Sequence, residues 1–232
     1  LFNRRFVDQV RHRLINVLSP SLLAERSPAH RADGVSVFID YQNLYFLLKN
    51  AYRVIPLQIH IPNLIHQLAV ENGLVVNEIF LYTGVPDEKL EPKRAHMMSR
   101  RIAWFKYLGV TVRTAPMHYA TISGRTTSME RGIDVMLASE LMNRVNDGVS
   151  RVMLISQDKG FSQSLIIASE VAMSKGKVLE AFSIRTSGVD LDDLKARGIG
   201  HDGLFMTRAL PLHVDLVRDH IMVRDEPATQ QG

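Results

Sequence analysis

The chain has 232 residues, 46% of them hydrophobic, and a formal net charge of +4 with an isoelectric point near 9.4. It contains no cysteine, which excludes disulfide scaffolds and thiolate metal sites and is expected of a reducing, cytoplasmic setting. No apolar run approaches the roughly 20 residues of a membrane span, so no membrane association is expected. The mild basic excess suits a polyanionic partner without requiring one.

Residues 1–18 place Phe2, Phe6, Val10, Leu14 and Val17 at helical spacing, with arginines on the other face. Such a helix either packs on the main domain or acts as an arm for a homodimer or a protein partner. SPSLLAERSPAHRADG follows as a linker, so 1–33 is expected to be an N-terminal helical arm and linker. VSVFI (35–39) is a short buried strand. LYFLLKNAY and IPNLIHQLAVENG are helices, the second with Pro62 in its first turn and Gly73 past its end. NEIFLYTGV is a strand, DEKLEPKRAHMMSRRIAWFKYLG a helix stopped by Gly109, and VTVRT a strand. Residues 115–130 are expected to form a mobile loop. IDVMLASELMNRV is a helix, RVMLIS a strand, FSQSLIIASEVAMSKG a helix and KVLEAFSI a strand, with GLFMTR expected as the last strand. The main domain is therefore expected over 34–210, with a C-terminal tail over 211–232.

Strands that alternate with helices imply an α/β fold with a mostly parallel central sheet and helices on both faces. Sites in such sheets lie beyond the carboxyl ends of the strands, where the strand order reverses. Asp40 follows VSVFI, and Asn43 lies about one helical turn on. Asp158 follows VMLIS, and Asp134 opens the helix IDVMLASELM. Each acid alone has a structural explanation: Asp134 as a helix cap or first-turn acid, Asp158 as a cap, Asp40 as the start of a turn. Three carboxylates at one sheet edge would instead repel one another unless a cation neutralised them. Mg²⁺ or Mn²⁺ prefers carboxylate oxygen.

VFIDYQN, RGIDVMLASELM and LISQDKGF, in that order and spacing, resemble the three motifs of the NYN domain (LabA-like) family of PIN-like nucleases. Members read approximately apolar-Asp-x-x-Asn, Lys-Gly-x-Asp-Val and Ser-Gly-Asp-x-Asp-Phe. YTGVP and RRIAWFKYLGVTVRT between the motifs also fit, so the resemblance covers about residues 35–184. It implies a three-layer PIN-like fold and a divalent-metal-dependent endoribonuclease that hydrolyses RNA, with single-stranded RNA as the expected partner. By the resemblance, Asp40, Asp134 and Asp158 hold Mg²⁺ or Mn²⁺, Asn43 steadies a ligand water or phosphate oxygen, and Ser156 holds the Asp158 loop.

Three residues depart from the pattern. Gly160 stands where the family often has a second aspartate, Arg131 replaces lysine, and Gln157 replaces glycine. Glu140 matches an often acidic position, and is expected to support the site rather than bind the metal. A catalytically weak or inactive module that binds RNA or a protein partner is the alternative, and Gly160 and the N-terminal arm suit it. A Mg²⁺-dependent phosphatase would need Asp two residues after its nucleophile, whereas Tyr41 and Gln42 follow Asp40.

Lys93, Arg94, Arg100, Arg101 and Lys106 share one helix, either as a solvated basic face or as a phosphate-tracking patch. Arg125, Arg131 and Lys159 lie nearer the acids in sequence and are better placed to hold RNA phosphates. Trp104 and Phe105 are expected to face the core. GIGHDG (198–203) does not open a helix after a first strand, so it is not a dinucleotide site. The histidines lack metal-ligand spacing, and neither a Gly-x-Ser-x-Gly nor a Walker A motif occurs. DLDDLK (190–195) reads as a helix start.

Overall fold

A computed structural model describes residues 34–54, 59–122, 125–156, 158, 160–185 and 205–221. The expected arm and linker over 1–33, Gln157, Lys159, both stretches within 190–203 and residues 222–232 lie outside the described residues.

The elements in chain order are β1 (Val35–Asp40), α1 (Tyr41–Tyr52), α2 (Ile61–Glu71), β2 (Val76–Val85), α3 (Pro92–Tyr107), β3 (Thr111–Pro116), β4 (His118–Ile122), β5 (Arg125–Met129), α4 (Ile133–Asn146), β6 (Arg151–Ile155), α5 (Phe161–Ser174), β7 (Leu179–Arg185), β8 (Phe205–Pro211) and α6 (Val214–Asp219). Six strands form one sheet in the order β3-β2-β1-β6-β7-β8, and every neighbouring pair is parallel. β1 is central and buried along its whole length. Its β-branched and aromatic residues suit a strand covered on both faces.

The alternation of β1 sorts the layers. Val35, Val37 and Ile39 pack with Leu44, Leu47 and Leu48 of α1 and with the apolar faces of α2 and α6. Phe38 packs on the opposite face, with Leu137 and Leu141 of α4 and Leu165 and Ala168 of α5. Phe38 also stacks on Phe80 of β2, with ring centroids 5.2 Å apart. The result is the three-layer α/β PIN-like architecture that the motif resemblance implied.

From β1 the chain proceeds through α1 and α2 to β2, and through α3 to β3, all on one side of β1. It then returns through α4 to β6 on the other side. The strand order therefore reverses between β1 and β6, and their carboxyl ends open a crevice.

Two expectations change. Within residues 115–130, expected to be a mobile loop, β4 and β5 pair as an antiparallel hairpin, with His118 opposite Met129 and Ile122 opposite Arg125. Its Thr- and Tyr-rich strands favour extended backbone, and Ser123-Gly124 is a turn signal at its centre. Arg94 of α3 bonds Ser128, and the Tyr119 hydroxyl bonds Glu91 and accepts from the Asp87 amide, so the hairpin is tied to the start of α3. The second change concerns 211–232, read as a tail. Through residue 221 it carries the end of β8 and α6, and Leu212, Leu216 and Val217 join the core. Backbone groups of His220 and Ile221 bond the residues just before α2. No described helix is long and apolar enough to cross a membrane.

Candidate active site

Asp40 is the last residue of β1 and the N-cap of α1. Its Oδ1 accepts the Asn43 backbone N–H at 3.1 Å, and its Oδ2 accepts the Asn43 side-chain amide at 2.5 Å. The spacing Asp-x-x-Asn thus has a local cause: one helical turn brings residue 43 back over the cap. Ile39 pairs with Ile155 of β6, so Asp40 and Ser156 are the next neighbours along the two strands. The Ser156 hydroxyl donates to Asp40 Oδ2 at 3.3 Å and accepts the Asp158 amide at 3.1 Å. Ser156 therefore links the first and third acidic motifs.

Asp40 shares its strand parity with Ser36 and Phe38, whose face α4 and α5 cover. Both remaining aspartates are on that side: Asp134 in the first turn of α4, and Asp158 just before α5. Partial burial and then the charges of Asp40 and Asp158 raise the proton affinity of Asp134 above the ordinary carboxylate value. The fold thus puts Asp40 at the end of β1, Asp134 in the first turn of α4 and Asp158 just before α5. Gly132, with φ of +76°, starts α4 in the left-handed region that only glycine adopts without strain.

The sequence reading missed Glu130, which precedes α4 in the stretch taken for a loop. Its Oε1 accepts the Gly84 amide at the end of β2 at 2.6 Å. A Cβ on Gly84 would lie 2.7 Å from Glu130 Cγ and 2.9 Å from its Oε1, so the glycine is what admits this side chain. Burial, and then the charges of Asp40 and Asp134, push the Glu130 carboxyl up from its usual range. The signal was YTGVP, a glycine inside a strand, which marks a close approach without naming what approaches.

Gly160 begins α5, and its amide donates to Asp158 Oδ1 at 2.8 Å. A Cβ there would lie 3.1 Å from the same oxygen. The Asp158 carboxylate therefore lies against the side of Gly160 where an acid in its place would begin.

Two expected site residues are placed elsewhere. Glu140 does not support the aspartates: Arg113 grips it through two nitrogens at 3.2 and 3.1 Å, and Arg144 is 3.5 Å away. Arg101 is not a surface contact for RNA. Its side chain is buried over the rings of Tyr41 and Phe105, at 5.2 and 5.5 Å from their centroids. Adjacent helical residues point about 100° apart, so Arg100 is exposed while Arg101 turns inward. Phe105 is buried, and Trp104 packs on the same core. Arg131 is exposed beside Glu130. Arg125 has its backbone in β5, and its side chain lies outside the described residues.

Asp40, Asp134 and Asp158 offer only carboxylate oxygen, the donor type that hard divalent cations prefer. Among the described residues, no three acids already stand in a geometry that would hold a metal ion. Asp40 gives both oxygens to donors of the chain, and Asp158 gives one.

No curated protein matches the sequence. A crystal structure of a protein of unknown function from Vibrio parahaemolyticus is similar, at 18% identity and a TM-score of 0.42, covering 75% of this chain and 92% of that one. A family model of the NYN domain matches residues 34–190, which is more than half of the chain. Members of that family are generally nuclease-like and typically use divalent metals. That match spans all three acidic motifs and leads to one conclusion: this chain belongs to the NYN domain family of PIN-like proteins.

Proposed function

We propose that the protein is a divalent-metal-dependent endoribonuclease that hydrolyses phosphodiester bonds of single-stranded RNA. What supports this reading is the NYN domain match together with the placement of three aspartates at element ends: Asp40 ends β1, Asp134 opens α4 and Asp158 precedes α5.

Asp40, Asp134 and Asp158 would hold Mg²⁺ or Mn²⁺. A cation there supplies Lewis-acid polarisation of a phosphoryl oxygen and a water made nucleophilic near neutral pH. The chain itself does the positioning. Asn43 and Ser156 both donate to Asp40 Oδ2 and so fix the orientation of its carboxylate. Ser156 also holds the backbone of Asp158, so one hydroxyl sets the spacing of two acids. Arg131 offers an exposed guanidinium three residues before Asp134, where it can pair a phosphate in fork geometry. Arg125 on the hairpin, Lys159 beside Asp158 and Arg100 on α3 add cations for the RNA backbone, an attraction that salt screens.

A second reading has its own observation. Asp40 and Asp158 already bond to chain donors, and residue 160 brings no acid, as suits a weak or inactive module that binds RNA or a protein partner. One experiment separates the two. Labelled single-stranded RNA is incubated with the protein and Mn²⁺ or Mg²⁺, beside Asp134→Asn and Asp158→Asn. Cleavage by the wild type that both variants lose supports the nuclease. Binding without cleavage, equal in all three proteins, supports the inactive module.

A further inference from the structure

Resting on the reading of RNA as the substrate, we infer that Phe46 is a stacking platform for a base of single-stranded RNA, one helical turn along α1 from Asn43.

α1 has a core side and an open side. Tyr41, Leu44, Leu47 and Leu48 are buried on the first. Gln42, Phe46 and Lys49 recur at helical spacing on the other, and Arg53 follows at the C-cap. Phe46 is 47% exposed, and Lys49 and Arg53 are exposed as well. α1 contains no Asp or Glu to neutralise the two cations.

A lone exposed apolar side chain needs no special account. The company and the place of Phe46 set it apart. A ring for a base and cations for the flanking phosphates are what single-stranded nucleic acid requires of a surface. Tyr45 meets Phe46 edge-on, with centroids 5.6 Å apart and ring planes at 86°, so the two rings do not stack on each other. The other exposed aromatic among the described residues is Tyr107, which ends α3 just before β3 begins, toward the amino ends of the strands. Phe46 is instead in the second turn of α1, which starts where β1 ends. At the helical rise it lies about 4.5 Å beyond Asn43 and about 9 Å beyond Asp40 along the axis. A base on Phe46 therefore belongs to a nucleotide adjoining the one whose phosphate reaches Asp40. In a duplex the bases are paired and stacked on one another, so this platform selects single strands.

The test uses the full chain and short labelled RNA in a chelating buffer, where no cleavage competes with binding. Wild type, Phe46→Ala, Phe46→Leu and Phe46→Trp are titrated with a single strand and with a duplex. Phe46→Ala and Phe46→Leu should bind the single strand roughly 5- to 150-fold more weakly, the range for loss of one base–aromatic stack. Phe46→Trp should keep wild-type affinity, and duplex affinity should not change in any variant. A set of single strands, each lacking one base, adds a readout on the wild type itself: one position should weaken its binding and leave Phe46→Ala unaffected. Lys49→Ala and Arg53→Ala should each lower the slope of log affinity against log salt by about 0.7.

Equal single-strand affinity in wild type and Phe46→Ala overturns the platform, and Mn²⁺-dependent cleavage by both would leave the nuclease reading standing. Equal losses on single strand and duplex overturn base stacking. Self-association of the wild type that Phe46→Ala abolishes, with RNA affinity unchanged, assigns the face to a second copy of the chain and also overturns it. Single-strand binding that depends on Phe46, without cleavage by wild type in Mn²⁺, supports the platform and sinks the nuclease.

Discussion

The Gly84 amide donates to the Glu130 carboxylate at 2.6 Å across 46 residues of chain. This contact joins the end of β2 to the segment that launches α4, and so helps to set where Asp134 stands. A methyl group at residue 84 would meet Glu130 Cγ at 2.7 Å. Gly84→Ala should therefore destabilise the protein by about 1–3 kcal/mol, the usual range for overpacking. Most of that loss should vanish in a Glu130→Ala background. Urea unfolding of the four proteins of this cycle measures the coupling, and equal losses in both backgrounds would refute the close packing.

Asp40 has a structural duty as well as a proposed chemical one. Replacing it with alanine removes the cap on the Asn43 amide and should lower stability by about 1 kcal/mol. Asparagine keeps an acceptor there and should leave stability within about 0.5 kcal/mol of wild type. Both variants should lose metal-dependent RNA cleavage. Thermal melts beside a cleavage assay check the pair. An active Asp40→Asn would remove this residue from the proposed chemistry.

Asp134 offers a pH signature. Its folded-state proton affinity is raised, so the folded protein holds this proton more firmly than the unfolded chain does. Its favourable contribution is fully present below the ordinary value of 3.8 and is lost as pH rises through the higher folded value. At neutral pH, without divalent metal, the ionised Asp134 opposes folding. Asp134→Asn should melt above wild type at pH 7, and that advantage should shrink as pH falls toward 3.8. Melting curves in a chelating buffer measure this, and an advantage independent of pH would contradict it.

His60 should act in the opposite sense, away from the acids. Burial, aided by His220 and His66, lowers its pKa from 6.5 to about 4. Its Nδ1 caps α2 by accepting the Asn63 amide, and the ring meets Trp104 edge-on at 5.3 Å. The unfolded chain takes up a proton that the folded protein refuses between those two values. The stability from the neutral ring is therefore present above pH 6.5 and is lost as pH falls through about 4. His60→Asn keeps a capping acceptor and should flatten the loss of stability over that window. Urea midpoints at several pH values would show an unchanged slope if another group is responsible.

The depth to which the sequence could be read varies along the chain. β1 was legible because VSVFI is short and rich in β-branched and aromatic residues, which suits a strand buried on both faces. α1 was recognised late, from Leu44 rather than Tyr41, because its first turn belongs to the Asp-x-x-Asn cap. The β4–β5 hairpin was hidden by largely polar strands, in which no described side chain is fully buried to impose alternation. Arg100 and Arg101 looked equivalent as adjacent charges, and only the packing of α3 separated them. α6 looked like a tail because its six residues are too short for a periodic signal, yet Leu216 and Val217 are buried.

By itself the sequence determined the class of fold, the identity of three aspartates as strand-end and helix-start residues, and their family, since each is set by local period and by residues within a few positions. The tertiary structure decided which acids are neighbours. It brought Asp40 to Ser156 through the pairing of β1 with β6, drew Glu140 away to Arg113 and Arg144, and brought Glu130 to Gly84. Such contacts join residues tens of positions apart, and the order of strands in the sheet, which no local pattern encodes, selects among them.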